Sequence, residues 1–192
     1  MKKVLVLLAN GFEEIEAVAV IDILRRAGVI VQICSTGKEY VTGNHGITLK
    51  SDVRLDYIDI YSDVYDLIYI PGGQPGATNL KDDQRVIDLL KKYDTDEVLL
   101  AAICAGPTVL EEAGLLNERE GTSFPTYKDV LKFKEYKEVP FVKSKNILTS
   151  RGAGTAMEMG YKILEELGLK DEAIELRENM QYNFMLNYYK NN

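Results

Sequence analysis

Residues 4–8, 67–70 and 98–103 are short, almost unbroken apolar runs: VLVLL, LIYI and VLLAAI. A strand reads this way when both faces of its sheet are covered, because neither face is left for polar side chains. Residues 30–34 add a β-branched run. Ahead of it, Ile15, Val18, Ile21 and Leu24 recur at helical spacing over residues 13–27, and Gly28 stops the helix. Strand, helix and strand in this span make a βαβ unit.

Further along, residues 83–93 read as an amphipathic helix with Val86, Leu89 and Leu90 on one side. Residues 106–116 read as a helix with Pro107 in its first turn, and 155–167 and 171–180 as two closing helices separated by Gly168. Residues 40–49 suggest a small hairpin on the sheet margin, turning through Gly43-Asn44-His45-Gly46. A second hairpin spans 141–149. Buried strands alternating with helices predict an α/β fold with a doubly wound sheet. One domain over residues 1–192 is expected. Sites in such sheets lie beyond the carboxyl ends of the strands, which singles out loops 9–16, 71–79 and 103–107.

Charge and cysteine use narrow the function. The net charge of −7 argues against nucleic acid or an anionic membrane as partner. Two cysteines make no disulfide framework, and a single histidine leaves almost no room for a His/Cys zinc site within one chain. No segment has the roughly 20 apolar residues a spanning helix needs. The first apolar run is short and leads into Asn10-Gly11 and glutamates, unlike a signal peptide. A cytoplasmic protein is expected.

Cys104 stands where the most apolar run turns into a helix, between Ile103 and Ala105-Gly106. This is the setting of a nucleophile elbow, with Cys in place of Ser, and the following helix N-terminus favours thiolate. Most intracellular cysteines are instead small buried hydrophobes, which is the reading for Cys34. Glu13 and Glu14 suit a helix N-terminus, whereas Glu16 falls a turn later and can lean toward Cys104, so that the two titrate as a pair. The glycine-rich stretch Pro71-Gly72-Gly73-Gln74-Pro75-Gly76 is either a tight turn or a source of backbone N–H groups which, with that of Ala105, form an oxyanion hole. Arg151 is a candidate to pair with an acidic group or a ligand anion, against the plainer reading of a surface arginine. His45 lies in a turn, where histidines are usually solvated. The aromatic tail, residues 182–189, reads as packing surface, as do Met157 and Met159.

The stretches ANGFEEIEAV, RRAG, PGGQPGATNL, AAICAGPTVL and LTSRGAGT occur in this order over most of the chain. Together they resemble the ThiJ/PfpI superfamily, in the branch of the Parkinson-disease-associated protein deglycase. The resemblance implies a flavodoxin-like, class I glutamine-amidotransferase-like fold with a mostly parallel sheet and helices on both faces, and a homodimer. It implies a reactive, readily oxidised Cys104 with Glu16 as its hydrogen-bonding partner, and an oxyanion hole from the amides of Gly73 and Ala105. It implies action on reactive carbonyls, as a glyoxalase or protein deglycase in stress protection, with no cofactor and no metal. Two departures stand out. The protease-like branch carries His directly after the cysteine, where this chain has Ala105, and the deglycase branch carries His-Pro where this chain has Phe124-Pro125. Without an imidazole to protonate a leaving amine, no efficient protease is expected. At the family's positively charged hairpin position stands His45, placed to approach a partner's site in a dimer. The expectation is a cysteine enzyme acting on small aldehydes or glycated protein. The alternatives are a non-turnover redox sensor or stress chaperone using the same cysteine, and a small-ligand binding module.

Overall fold

A computed structural model describes residues 1–191. Its strands are β1 (Lys3–Leu8), β2 (Ile30–Ser35), β3 (Tyr40–Thr42), β4 (Thr48–Lys50), β5 (Val53–Arg54), β6 (Leu67–Ile70), β7 (Leu99–Ile103), β8 (Glu120–Gly121), β9 (Glu135–Tyr136), β10 (Phe141–Ser144) and β11 (Ile147–Ser150). Its α-helices are α1 (Glu14–Arg26), α2 (Gly76–Lys81), α3 (Gln84–Tyr93), α4 (Pro107–Glu112), α5 (Ala156–Glu166), α6 (Lys170–Asn179) and α7 (Tyr182–Asn191). Seven strands form the main sheet in the order β10-β11-β7-β6-β1-β2-β5. All neighbours run parallel except the edge pair β10 and β11. From β1 the chain winds outward to β2 and β5, then returns to β6 on the other side of β1. The point of reversal, between β1 and β6, is where an open α/β sheet leaves a crevice.

Alternate residues of β1 feed the two cores. Val4, Val6 and Leu8 pack with α1 and α5, while Leu5 and Leu7 pack with α3 and α4. This double coverage is why the run has no polar face. Gly160 on α5 lets α1 approach closely, since a Cβ there would lie 2.9 Å from Ile23 Cδ1.

Two readings of the helical pattern are corrected. Ile21 and Leu24 are buried, but Ile15 and Val18 are largely exposed. The stripe of α1 that meets the sheet is Ala17, Val20, Ile21 and Leu24. The helix after Cys104 ends at Glu112 instead of Leu116, because Gly114 takes φ +76° and the chain turns away. The aromatic tail forms a helix, α7, and packs in part: Tyr182 lies on the Tyr161 ring against the core, while Phe184 and Tyr189 are exposed. Among the described residues, the hairpin of β3 and β4 pairs within itself and joins no other sheet. Among the described residues no helix is long and apolar enough to cross a membrane.

Candidate active site

Cys104 follows the last residue of β7 and has φ +61°, a left-handed conformation that a non-glycine residue adopts at a cost. Both of its backbone polar groups are tied down. Its N–H donates to the Ser150 carbonyl at 3.0 Å, and its carbonyl accepts from the Phe124 N–H at 3.0 Å. The bend therefore holds the side chain above the sheet edge, half-buried. Gly106 permits the turn, because a Cβ there would lie 2.6 Å from the Ile70 carbonyl oxygen.

Glu16 reaches the same place from the first turn of α1 and is fully buried. Tyr69 of β6 fixes its backbone by donating to the Glu16 carbonyl at 2.9 Å. Its Oε2 accepts the Gly72 N–H at 2.7 Å, and the carboxyl also meets the Cys104 thiol. Oε1 is buried and, among the described residues, has no hydrogen-bond partner.

Burial pushes the Glu16 carboxyl up to about 7, and the charge of Glu13 adds to this, against the Gly72 N–H and the thiol, which favour the anion. Burial, and next the charge and hydrogen bonding of Glu16, push the Cys104 thiol up to about 12; only the Ala105 N–H favours the thiolate. The anticipated low thiol pKa is thus absent. Helix α4 has six residues, and its weak field is outweighed by burial and by the carboxylate beside the sulfur. The two groups titrate as a pair, whose first proton leaves near 7.

The glycine-rich loop does more than turn the chain. A Cβ on Gly72 would lie 2.6 Å from Glu16 Oε2, 2.7 Å from Cys104 Cβ and 2.8 Å from the Ala105 nitrogen. Gly73, at φ +89°, packs on the backbone of Phe12 and Glu13. Among the described residues, the N–H groups of Gly73 and Ala105 donate to no oxygen. Sequence reasoning missed Gly72, which spaces the two reactive groups and donates to one of them. Its only signal was the doubled glycine.

The remaining candidates, His45, Arg151 and Cys34, are not among the groups that act on the pair. His45 is on the β3–β4 hairpin, with Nδ1 3.0 Å from Glu14 Oε2 and 3.6 Å from Glu13 Oε1. Glu14 is buried and also accepts the backbone N–H groups of His45 and Ile47, at 2.7 and 3.2 Å, so it anchors the hairpin. Burial works against ionisation of Glu14, yet the His45 side chain and these N–H groups hold it below the usual carboxylate range. Glu13, Glu14 and His45 bring three ligand-type atoms within 4.8 Å of one another, but those of Glu14 and His45 are already engaged with each other. Arg151 follows β11; its Nη1 is buried and, among the described residues, has no hydrogen-bond partner, and its charge acts on Glu138. Cys34 is buried in β2, and burial pushes its thiol up to about 12.

The same arrangement of elements recurs in known proteins. The structure of oxidised Toxoplasma gondii DJ-1 superposes with a TM-score of 0.87 at 36% identity, covering 94% of this chain and 98% of that one. In sequence, the chain is 36% identical to Drosophila melanogaster protein dj-1beta over 93% of its own length and 96% of the relative's. It is 38% identical to the Caenorhabditis elegans glutathione-independent glyoxalase DJR-1.2, over 86% of this chain and 89% of that protein. Residues 2–166, which carry the elbow, the acidic loop and the glycine-rich loop, match the model of one family, and the chain belongs to it: the DJ-1/PfpI family.

Proposed function

We propose that the protein converts reactive 2-oxoaldehydes, free or as adducts on protein, into 2-hydroxy acids without a cofactor. The observation that carries this reading is the buried pair of Cys104 and Glu16, beside the N–H groups of Gly73 and Ala105, which donate to no oxygen among the described residues. A name among the relatives, glutathione-independent glyoxalase, supports it.

Above pH 7 Glu16 is ionised and acts as general base, accepting the thiol proton as sulfur attacks. Sulfur forms a C–S bond to the aldehyde carbon, and the electron pair of the C=O moves to oxygen. The N–H groups of Gly73 and Ala105 stabilise that alkoxide, a contribution of about 10²–10³-fold per donor in comparable sites. Glu16 returns the proton to it, giving a hemithioacetal. As carboxylate it then removes the proton on the former aldehyde carbon and delivers it to the neighbouring carbonyl carbon, through an enediol. The product is a thioester of the hydroxy acid. Water cleaves the C–S bond and the thiol regains its proton. The sum is 2-oxoaldehyde plus water to 2-hydroxy acid, with no net oxidation. For the free aldehyde the absence of an imidazole matters less than in peptide cleavage, because no amine has to leave; from a protein adduct the amine leaves first, taking back the proton of the adduct hydroxyl as the aldehyde re-forms.

Lactate formation from methylglyoxal by purified protein, without added thiol, tests this. Wild type should produce it and Cys104→Ala should fall to the uncatalysed rate. No lactate above blank contradicts it.

The buried Oε1 of Glu16 favours a second reading, a redox sensor. Two equivalents of peroxide would oxidise the thiolate to sulfinate with release of two waters, and protonated Glu16 would donate to a sulfinate oxygen. Ready sulfinate formation without lactate selects this reading. A homodimer is part of the proposal. Ile15 and Val18 of α1 and Ile47 of the hairpin form an exposed apolar face, with Ala19 and Leu49 beside them.

A further inference from the structure

Phe124 is held by its backbone on both sides. Its N–H donates to the Cys104 carbonyl at 3.0 Å, and its own carbonyl accepts from the Tyr127 N–H and the Ser123 hydroxyl at 3.0 and 3.1 Å. Ser123, just before it, is fully buried, yet Phe124 is 44% exposed. The ring lies over Gly152, whose Cβ position would be 3.5 Å from it. Gly152 sits two residues beyond Ser150, which binds the Cys104 N–H. On the other flank, Gln74 Nε2 donates to the Tyr127 hydroxyl at 3.0 Å, tying the glycine-rich loop to the turn that carries Phe124. The backbone is thus fixed one hydrogen bond from the nucleophile, while a large apolar side chain stays in solvent. Such exposure does nothing for the fold.

We propose that the Phe124 ring forms an apolar wall at the mouth of the site and selects 2-oxoaldehydes whose carbonyl carries an aromatic or bulky alkyl group. The proposal rests on the carbonyl chemistry assigned above to Cys104 and Glu16, and names the substrate class it takes. An aryl group laid against the ring removes apolar surface of both from water; the methyl of methylglyoxal covers little of it.

The test is the ratio of kcat/KM for phenylglyoxal to that for methylglyoxal in wild type, Phe124→Leu and Phe124→Ala. A ratio within one variant is independent of how much of it folds. Wild type should prefer phenylglyoxal, Phe124→Ala should lower the ratio about tenfold or more, mainly through the KM for phenylglyoxal, and Phe124→Leu should fall between. Turnover of both aldehydes with a ratio unmoved by Phe124→Ala overturns the role of Phe124 and leaves the chemistry standing. Turnover of neither by wild type overturns both.

Discussion

Glu16 and Cys104 meet across Gly72, and the missing side chain is what lets them: a Cβ there would lie 2.6 Å from Glu16 Oε2 and 2.7 Å from Cys104 Cβ. The Gly72 N–H meanwhile orients the carboxyl at 2.7 Å. Gly72→Ala must therefore push one of the two groups aside. A displacement near 1 Å costs about 10²-fold in rate. Steady-state kinetics on methylglyoxal should show that loss mainly in kcat, with a far-UV spectrum like that of wild type.

The same pairing sets a stability signature of unusual sign. A carboxyl whose pKa rises on folding, here from an ordinary 4.5 to about 7, is protonated in the folded chain while ionised in the unfolded one. Its contribution to stability is complete below pH 4.5 and is lost as pH rises toward 7. Glu16→Gln keeps an acceptor for the Gly72 N–H and removes the charge. It should be more stable than wild type at pH 8, by up to about 3 kcal/mol, and the difference should shrink toward pH 4.5. Urea unfolding at several pH values measures this.

The hairpin carries its own titration. Its hydrogen bond to Glu14, and next the charge of Glu13, raise the pKa of His45 above its ordinary 6.5. Folding is favoured by this pair below pH 6.5, and the effect is lost as pH climbs through the raised value. NMR of the single histidine should report a pKa above 6.5 in wild type and a lower one in Glu14→Gln.

Ile15 points away from the core and is 59% exposed. If the face it shares with Val18 and Ile47 joins two copies, Ile15→Glu places a charge in the middle of that contact. Sedimentation should then show a wild-type dimer and a monomeric variant, with the far-UV spectrum unchanged.

The sheet was legible because β1, β6 and β7 are covered on both faces and have no room for polar residues. The elbow was legible for a related reason: Cys104 interrupts an apolar strand next to alanine and glycine. What escaped is local. Strands β5, β8 and β9 have two residues each and no periodicity to read. Helix α2 begins at Gly76 in a stretch of weak helix formers. It is held by contacts distant in sequence: the Gly76 N–H on the Gly11 carbonyl at 3.1 Å and the Asn79 amide on the Asn10 carbonyl at 2.9 Å. Ile15 and Val18 share the spacing of Ile21 and Leu24, and spacing alone does not tell a core face from a second apolar face. The thiol pKa was misjudged because a helix N-terminus is visible in sequence, whereas burial beside a carboxylate is not.

The central claim is that Glu16 and Cys104 act as one proton-sharing unit. The pH dependence of Cys104 alkylation, followed by peptide mass spectrometry in wild type and Glu16→Gln, tests it most directly; Cys34, being buried, serves as the unreactive control. The wild-type rate should rise through an apparent pKa near 7, where Glu16 becomes able to take the thiol proton. Glu16→Gln should lose that step and, freed of the carboxylate's charge, ionise its thiol at a lower pH than wild type does, so that its rate rises in a single step. Superimposable profiles for the two proteins, with a single rise near the free-thiol value of about 8.5, would contradict it.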